Sequence, residues 1–106
     1  MPIVDSEFKL KVFRCVEKIP QGRVMTYGQL AALCGAAWAA WEVGQIAHFG
    51  PTELPWHMVV SKKGYLANGY PGGKEHHKKM IEVDGIVVDS KYRIDIDRLL
   101  WFPKNL

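Results

Sequence analysis

Apolar residues recur at helical spacing near the start of the chain, where Phe8, Val12, Cys15, Val16 and Ile19 fall on one face of a helix over Ser6–Lys18 with Asp5 or Ser6 as its cap. Ile19-Pro20-Gln21-Gly22 then breaks the pattern as a turn. Thr26 followed by Gln29 is a capping box, and it opens a short helix through Leu33 that Gly35 closes. A third helix is expected over Ala37–His48, stopped at Gly50-Pro51. Two short helices joined by a tight glycine turn make a helix-turn-helix, with the second helix as the reader. Beyond the loop the pattern changes period. Met58-Val59-Val60 is a short buried-type strand, and Lys62-Lys63-Gly64 turns it toward Tyr65-Leu66 as a hairpin or wing. Gly69–Gly73 is a loop, and Lys74–Val83 is a helix with few apolar positions, so largely solvated. Ile86–Val88 with Tyr92–Ile94 predicts a small terminal hairpin, and the apolar Leu99–Phe102 end is expected to dock on the core. The order of elements predicts an α+β, mainly helical, winged helix-turn-helix domain, one unit over residues 1–106.

Composition narrows this picture only a little. With 48% apolar residues, 106 positions are enough for one core. A net charge of +3 permits a nucleic-acid partner without demanding one. Cys15 and Cys34 have no Cys-x-x-Cys spacing and read as two buried free thiols in a reducing compartment. No apolar run approaches the ~18 residues of a membrane span, and Met1–Lys11 has no signal-peptide core. The expectation is an intracellular, cytoplasmic, monomeric protein. His76-His77, with His48 and His57, raises a metal site, but adjacent helical histidines diverge by about 100° and neither cysteine lies at a ligand spacing. Neither metal nor cofactor is expected.

Four stretches in order carry a resemblance. They are IPQGRVMTYGQLA from Ile19, AAWEVG from Ala39, LPWHMVV from Leu54 and GYPGG from Gly69. Together they resemble the C-terminal domain of the O6-alkylguanine-DNA alkyltransferases, over most of the chain from about Ile19 to Gly85. In that family a Pro-Cys-His-Arg-Val motif supplies the thiolate that takes the alkyl group; this chain has Pro55-Trp56-His57-Met58-Val59. Tryptophan there, with a tail running from Asp95 to Trp101, is similar to the alkyltransferase-like proteins. What the resemblance implies is a non-enzymatic DNA-binding protein that flips O6-alkylguanine out of double-stranded DNA from the minor groove. It would leave the alkyl group in place and assist nucleotide excision repair.

The resemblance also implies roles. Tyr27, Trp56, His57, Val59, Tyr70, Pro71 and Gly72 would form the alkyl-base pocket, with Asp84 bracing His57. Thr26, Tyr27, Gln29, Ala39, Ala40, Trp41, Gly44, Lys62 and Lys63 would meet DNA, with Lys74, Lys78 and Lys79 as weaker phosphate candidates. Trp56 leaves His57 and Asp84 nothing to activate, since only a thiolate is a competent nucleophile there. A flat ring offers stacking instead, worth roughly 1–3 kcal/mol per base. The plainer readings are that Trp56 is a core aromatic, that Tyr27 is a packing residue, and that the glycine-rich loop is only a tight turn. The chain departs from the family where Trp41 replaces the arginine finger, Met58 an arginine, and Gly50-Pro51 an asparagine. Trp41 can wedge between bases. Equally, Trp38 and Trp41 can form one aromatic helix face that packs inward or meets another protein. The alternative function is therefore a winged-helix DNA- or protein-binding module that has lost lesion recognition.

Overall fold

A computed structural model describes residues 5–103. Helix α1 (Ser6–Glu17) starts where the Asp5 carboxylate accepts the Phe8 N–H at 3.0 Å, and it buries Phe8, Val12, Cys15 and Val16 as the periodicity requires. Helix α2 (Tyr27–Leu33) carries the capping box: Thr26 Oγ accepts from Gln29 N at 3.0 Å, and Gln29 Oε1 accepts from Thr26 N at 3.3 Å. Helix α3 (Ala40–Phe49) packs against α2. It begins three residues later than its helical composition predicts. Ala36–Ala39 is needed as a turn, closed by Ala39 N–H on the Ala36 carbonyl at 2.8 Å, so that two short helices can fold back on each other. Ala36 and Ala39 are buried in that turn, whereas Trp38 is exposed.

The strands correct the predicted pairings. A 3-10 turn over Trp56–Met58 precedes β2 (Val59–Val60), which pairs in parallel with β1 (Met25–Thr26), Met25 opposite Val59 and Thr26 opposite Val60. The expected reversal from β2 to Tyr65-Leu66 is present as a turn, with Ser61 N–H on the Tyr65 carbonyl at 3.1 Å, but Tyr65-Leu66 does not form a strand beside β2. The chain reverses sharply there, with Gly64 N–H on the Ser61 carbonyl at 2.9 Å, and Tyr65 bridges antiparallel to Arg93. Leu66 N–H reaches the Tyr92 carbonyl at 2.9 Å and Ile94 N–H the Gly64 carbonyl at 3.0 Å. The terminal hairpin is reduced to its turn, with Asp89 N–H on the Arg93 carbonyl at 2.9 Å: Ile86–Val88 lies outside any strand, and Tyr92–Ile94 pairs with the wing. Period-2 patterning marks a strand but does not name its partner.

The β1–β2 pair is a seam between two apolar clusters. Met25 and Val59 face the cluster built by α1, α2 and α3, and their neighbours Val24 and Val60 face the other, with Leu66, Ile81, Ile86, Ile94, Ile96 and Leu99. That alternation is the pleat of an extended chain. Helix α4 (Gly73–Val83) is solvated on its outer face as expected, but it fully buries Ile81 and, against expectation, His77. After α5 (Ile96–Leu99) the tail runs beside β1, with Val24 N–H on the Leu99 carbonyl at 3.0 Å and Trp101 N–H on the Val24 carbonyl at 2.8 Å. The Arg23 guanidinium donates to the carbonyls of Leu99 and Leu100 at 3.1 and 2.7 Å, and Gln29 Nε2 to that of Trp101 at 2.6 Å. Leu99, Leu100 and Trp101 dock as expected; Phe102 stays exposed.

Gln29 therefore holds both the start of α2 and the tail. Its replacement by alanine is expected to lower the unfolding free energy by about 1–2 kcal/mol, from the lost cap and an unpaired carbonyl. Urea denaturation of Gln29→Ala reads this directly; unchanged stability would show that neither the cap nor the tail contact contributes.

Candidate functional site

Helix α3 and the Gly69–Gly73 loop stand on either side of an open cavity of about 490 Å³, within the range of ligand sites. Its walls are Tyr27 at the start of α2, Ala40, Trp41, Gly44 and His48 on α3, Trp56, and Tyr70 and Pro71 of the loop. Gly69, Ala67, Gln45, Ala47 and Phe49 complete it; the sequence gives no sign of the last four, and raises His48 only as a metal ligand, a role it rejects. The signal was there in part, because Ala40, Gly44 and His48 repeat at i, i+4, i+8 on α3.

Trp56 is both core residue and cavity wall, so the two readings of it coexist. Its ring is only 6% exposed and meets Phe13 edge-on at 5.9 Å between centroids. The indole N–H donates to the Pro51 carbonyl at 2.8 Å. Gly50 fits against the ring so closely that a Cβ built there would stand 2.8 Å from Trp56 Cζ2 and 2.7 Å from the Ile46 carbonyl oxygen. Gly50-Pro51, one of the departures from the family pattern, is thus the seat that the tryptophan requires.

The loop opposite is held in place before any ligand arrives. The His48 Nδ1–H donates to the Gly69 carbonyl at 2.6 Å, and the His76 Nδ1–H to the Pro71 carbonyl at 3.0 Å. Gly72 sits at φ +90°, where a side chain is strained and a Cβ would stand 2.8 Å from His76 Nδ1 and 2.9 Å from its Cβ. The Tyr70 ring stacks on His77 at 4.5 Å. Burial, with Tyr70 adding to it, pushes the Tyr27 phenol up to about 12, and burial raises that of Tyr70, so both remain neutral apolar walls at neutral pH.

Other candidates fall elsewhere. Val59 is fully buried in the core cluster, and His57, Val59 and Gly72 are not among the residues lining the cavity. Strand β2 turns Val59 into the packed core rather than toward the opening. The His57 ring reaches Asp84 Oδ2 at 2.7 Å, the pairing the sequence suggested. Behind it, the fully buried His77 accepts the Ala67 N–H at Nδ1, 3.0 Å, and donates from Nε2 to the His57 carbonyl, 2.8 Å. That geometry fixes the neutral Nε2–H tautomer, and burial lowers the His77 pKa to about 4. Thr26 and Gln29 spend their side chains on the cap, and Ala39 is fully buried, so these three face inward. Trp41 is 72% exposed at the cavity edge, while Trp38 lies ahead of the helix; they do not share a helix face. Glu42 lines a separate groove with Lys9 and Phe13. Lys62 and Lys63 are exposed at the tip of the wing turn, whereas Lys74 and Lys78 lie over the Tyr92 ring at 4.5 and 5.7 Å. No group of three or more metal-ligating side chains occurs among the described residues.

Known proteins are similar to this chain in sequence and in fold. Residues 7–86 match the family described as 6-O-methylguanine DNA methyltransferase, DNA binding domain. Alkyltransferase-like protein 1 of Schizosaccharomyces pombe is 32% identical over 105 residues, covering 92% of this chain and 97% of that protein. The DNA base-flipping protein of Escherichia coli is 32% identical over 99 residues, 92% of this chain and 76% of its own length. The crystal structure of the S. pombe protein in complex with damaged DNA containing O6-carboxymethylguanine superposes with a TM-score of 0.86 at 29% identity, over 95% of this chain and 100% of that one.

Two outcomes follow from the packing around Trp56 and His77. Gly50→Ala is expected to cost about 1–3 kcal/mol, because neither the Ile46 carbonyl nor the indole can retreat freely; full stability in a chemical melt would show that the ring has slack. For His77 the folded pKa lies below the ordinary 6.5, so the unfolded chain takes up the proton first. Stability is then complete above about pH 6.5 and falls as the pH drops toward 4, by up to about 1.4 kcal/mol per unit. Urea unfolding at a series of pH values tests this, and His77→Gln is expected to flatten the slope in that window.

Proposed function

The chain belongs to the alkyltransferase-like proteins of the 6-O-methylguanine DNA methyltransferase DNA-binding family, and from that premise we propose that it is a non-enzymatic sensor of O6-alkylguanine in double-stranded DNA. The observation that carries the reading is the apolar cavity between α3 and the pinned Gly69–Gly73 loop, walled by the rings of Tyr27, Trp56 and Tyr70. A base extruded from the minor groove would stack there, with the loop's backbone at its edge. Flipping costs a few kcal/mol and least for a weakly paired damaged base, so alkylation supplies part of the selectivity.

Trp56 stands in the resemblance at the alkyl-acceptor position and carries no nucleophile. Cys15 and Cys34 line a different opening, behind α1. The lesion therefore stays alkylated, and its removal falls to another system, which we take to be nucleotide excision repair. Trp41, exposed at the cavity edge on α3, acts as the wedge that fills the gap in the stack. It supplies surface where the family's arginine supplies charge and hydrogen bonds. Tyr27 and the lysines Lys62 and Lys63 meet the phosphates, and through them binding weakens as salt rises.

The test compares two fluorescent duplexes that differ by one O6-methylguanine, at a fixed near-physiological salt. About tenfold tighter binding of the lesion, equivalent to about 1.4 kcal/mol, is expected. Trp41→Ala, at a site where folding makes little demand, is expected to weaken binding to both duplexes by about tenfold. Trp56→Phe, which keeps an apolar ring in the core, is expected to reduce the preference for the lesion. Equal affinity for the two duplexes would leave a binding module without lesion recognition. Transfer of a labelled methyl group to the protein would overturn the non-enzymatic reading.

A further inference from the structure

The two cysteines take no part in the cavity described above, yet the fold brings them together. Cys15 belongs to the buried stripe of α1, and Cys34 is the residue that ends α2; their sulfurs lie 3.9 Å apart across nineteen positions of sequence. Both thiols are free and nearly buried, 3% and 6% exposed. They are not sealed in. A cavity of about 330 Å³ opens onto them, and its rim carries the cations Lys11, Arg14 and Lys18 beside Leu33. No acidic side chain lines that opening.

We propose that Cys15 and Cys34 form a peroxide-sensitive dithiol, in which Cys15 reacts first and Cys34 resolves it to an intramolecular disulfide. The geometry supplies each part. The basic rim favours the thiolate, which is the reactive form. The approach of a small oxidant is open, and the second sulfur is already in van der Waals contact with the first. The two thiols are also unequal. The contact with Cys34, with Lys18 nearby, lowers the Cys15 pKa to about 7, while the same contact and burial push Cys34 up.

The chemistry is balanced with hydrogen peroxide or a small alkyl hydroperoxide. The Cys15 thiolate attacks one peroxide oxygen; the O–O bond breaks and the departing hydroxide or alkoxide takes up a proton, leaving a sulfenic acid on Cys15. The Cys34 sulfur then attacks Cys15 Sγ, the S–O bond breaks, and the hydroxide leaves as water with the Cys34 proton. Two thiols are oxidised and one peroxide is reduced. Bond formation requires the sulfurs to close from 3.9 Å to about 2.05 Å. It would tie α1 to the turn from which the chain enters the Ala36–Ala39 segment and α3.

The proposal stands apart from the DNA reading, and its test needs no DNA. The full chain, folded in neutral buffer, is treated with hydrogen peroxide, quenched, and read by thiol titration and by intact mass without reductant. Loss of both thiols together is expected, with a mass lower by about 2 Da, no dimer, and full reversal by dithiothreitol. In Cys34→Ser the reaction is expected to stop at a Cys15 sulfenic acid that dimedone traps. In Cys15→Ser, Cys34 is expected to react at least about tenfold more slowly than Cys15 does. Thiols that react only after unfolding in urea, a final sulfinic acid in place of the disulfide, or faster reaction at Cys34 would each overturn the assignment.

Discussion

The placement of Trp56 is the constraint on which the site depends. A large ring at the head of β2 must be buried, yet its N–H must be satisfied and its far edge must reach the cavity. The solution is local and specific. Phe13 of α1 packs on it edge-on, the Pro51 carbonyl takes its hydrogen, and Gly50 clears the space its six-membered ring needs. The loop after α3 is shaped by that single side chain, so the helix's C-terminal end, and with it one wall of the cavity, is positioned by Trp56. One side chain thus serves the core and the cavity wall at once.

The second support is polar. His77 is buried among apolar neighbours and would be costly there if either ring nitrogen lacked a partner. Both are used, one by the Ala67 N–H and the other on the His57 carbonyl, and its ring face carries Tyr70. It thereby joins α4, the segment before the glycine loop, and the turn that presents Trp56. His57 continues the line to Asp84. The histidine–carboxylate pair is part of the framework that ties the turn before β2 to the end of α4. The loop hydrogen bonds from His48 and His76 add to this preorganisation, which reduces the entropy lost when a ligand enters the cavity.

Much of the molecule is legible because its signals are local. The Asp5 cap, the apolar stripe of α1 and the Thr26–Gln29 capping box depend on residues within one or two turns, and the structure keeps them as read. The order of motifs was enough to place the chain in its family, which residues 7–86 match. Where prediction failed, the missing term was distance in sequence. The wing strand's partner lies some thirty residues on, Tyr65 with Arg93, and the short β2 takes β1 rather than its neighbour. Strand patterning cannot choose between such partners, because each offers the same row of N–H and C=O groups.

By itself, then, the sequence determined helices α1, α2 and α4, the caps at Asp5 and Thr26, which positions are apolar, and that a tryptophan stands between Pro55 and His57, but neither the start of α3 nor the short α5. Only the tertiary structure decided what those residues face. It turned Thr26, Gln29 and Ala39 inward, separated Trp38 from Trp41, drew His48, Phe49 and Ala67 into the cavity, and set Cys15 beside Cys34. The reason is physical: caps and periodicity are written in neighbouring residues, whereas a cavity or a pair of thiols exists only where packing brings remote segments together. Packing is a property of the whole chain, and no single stretch of it contains the answer.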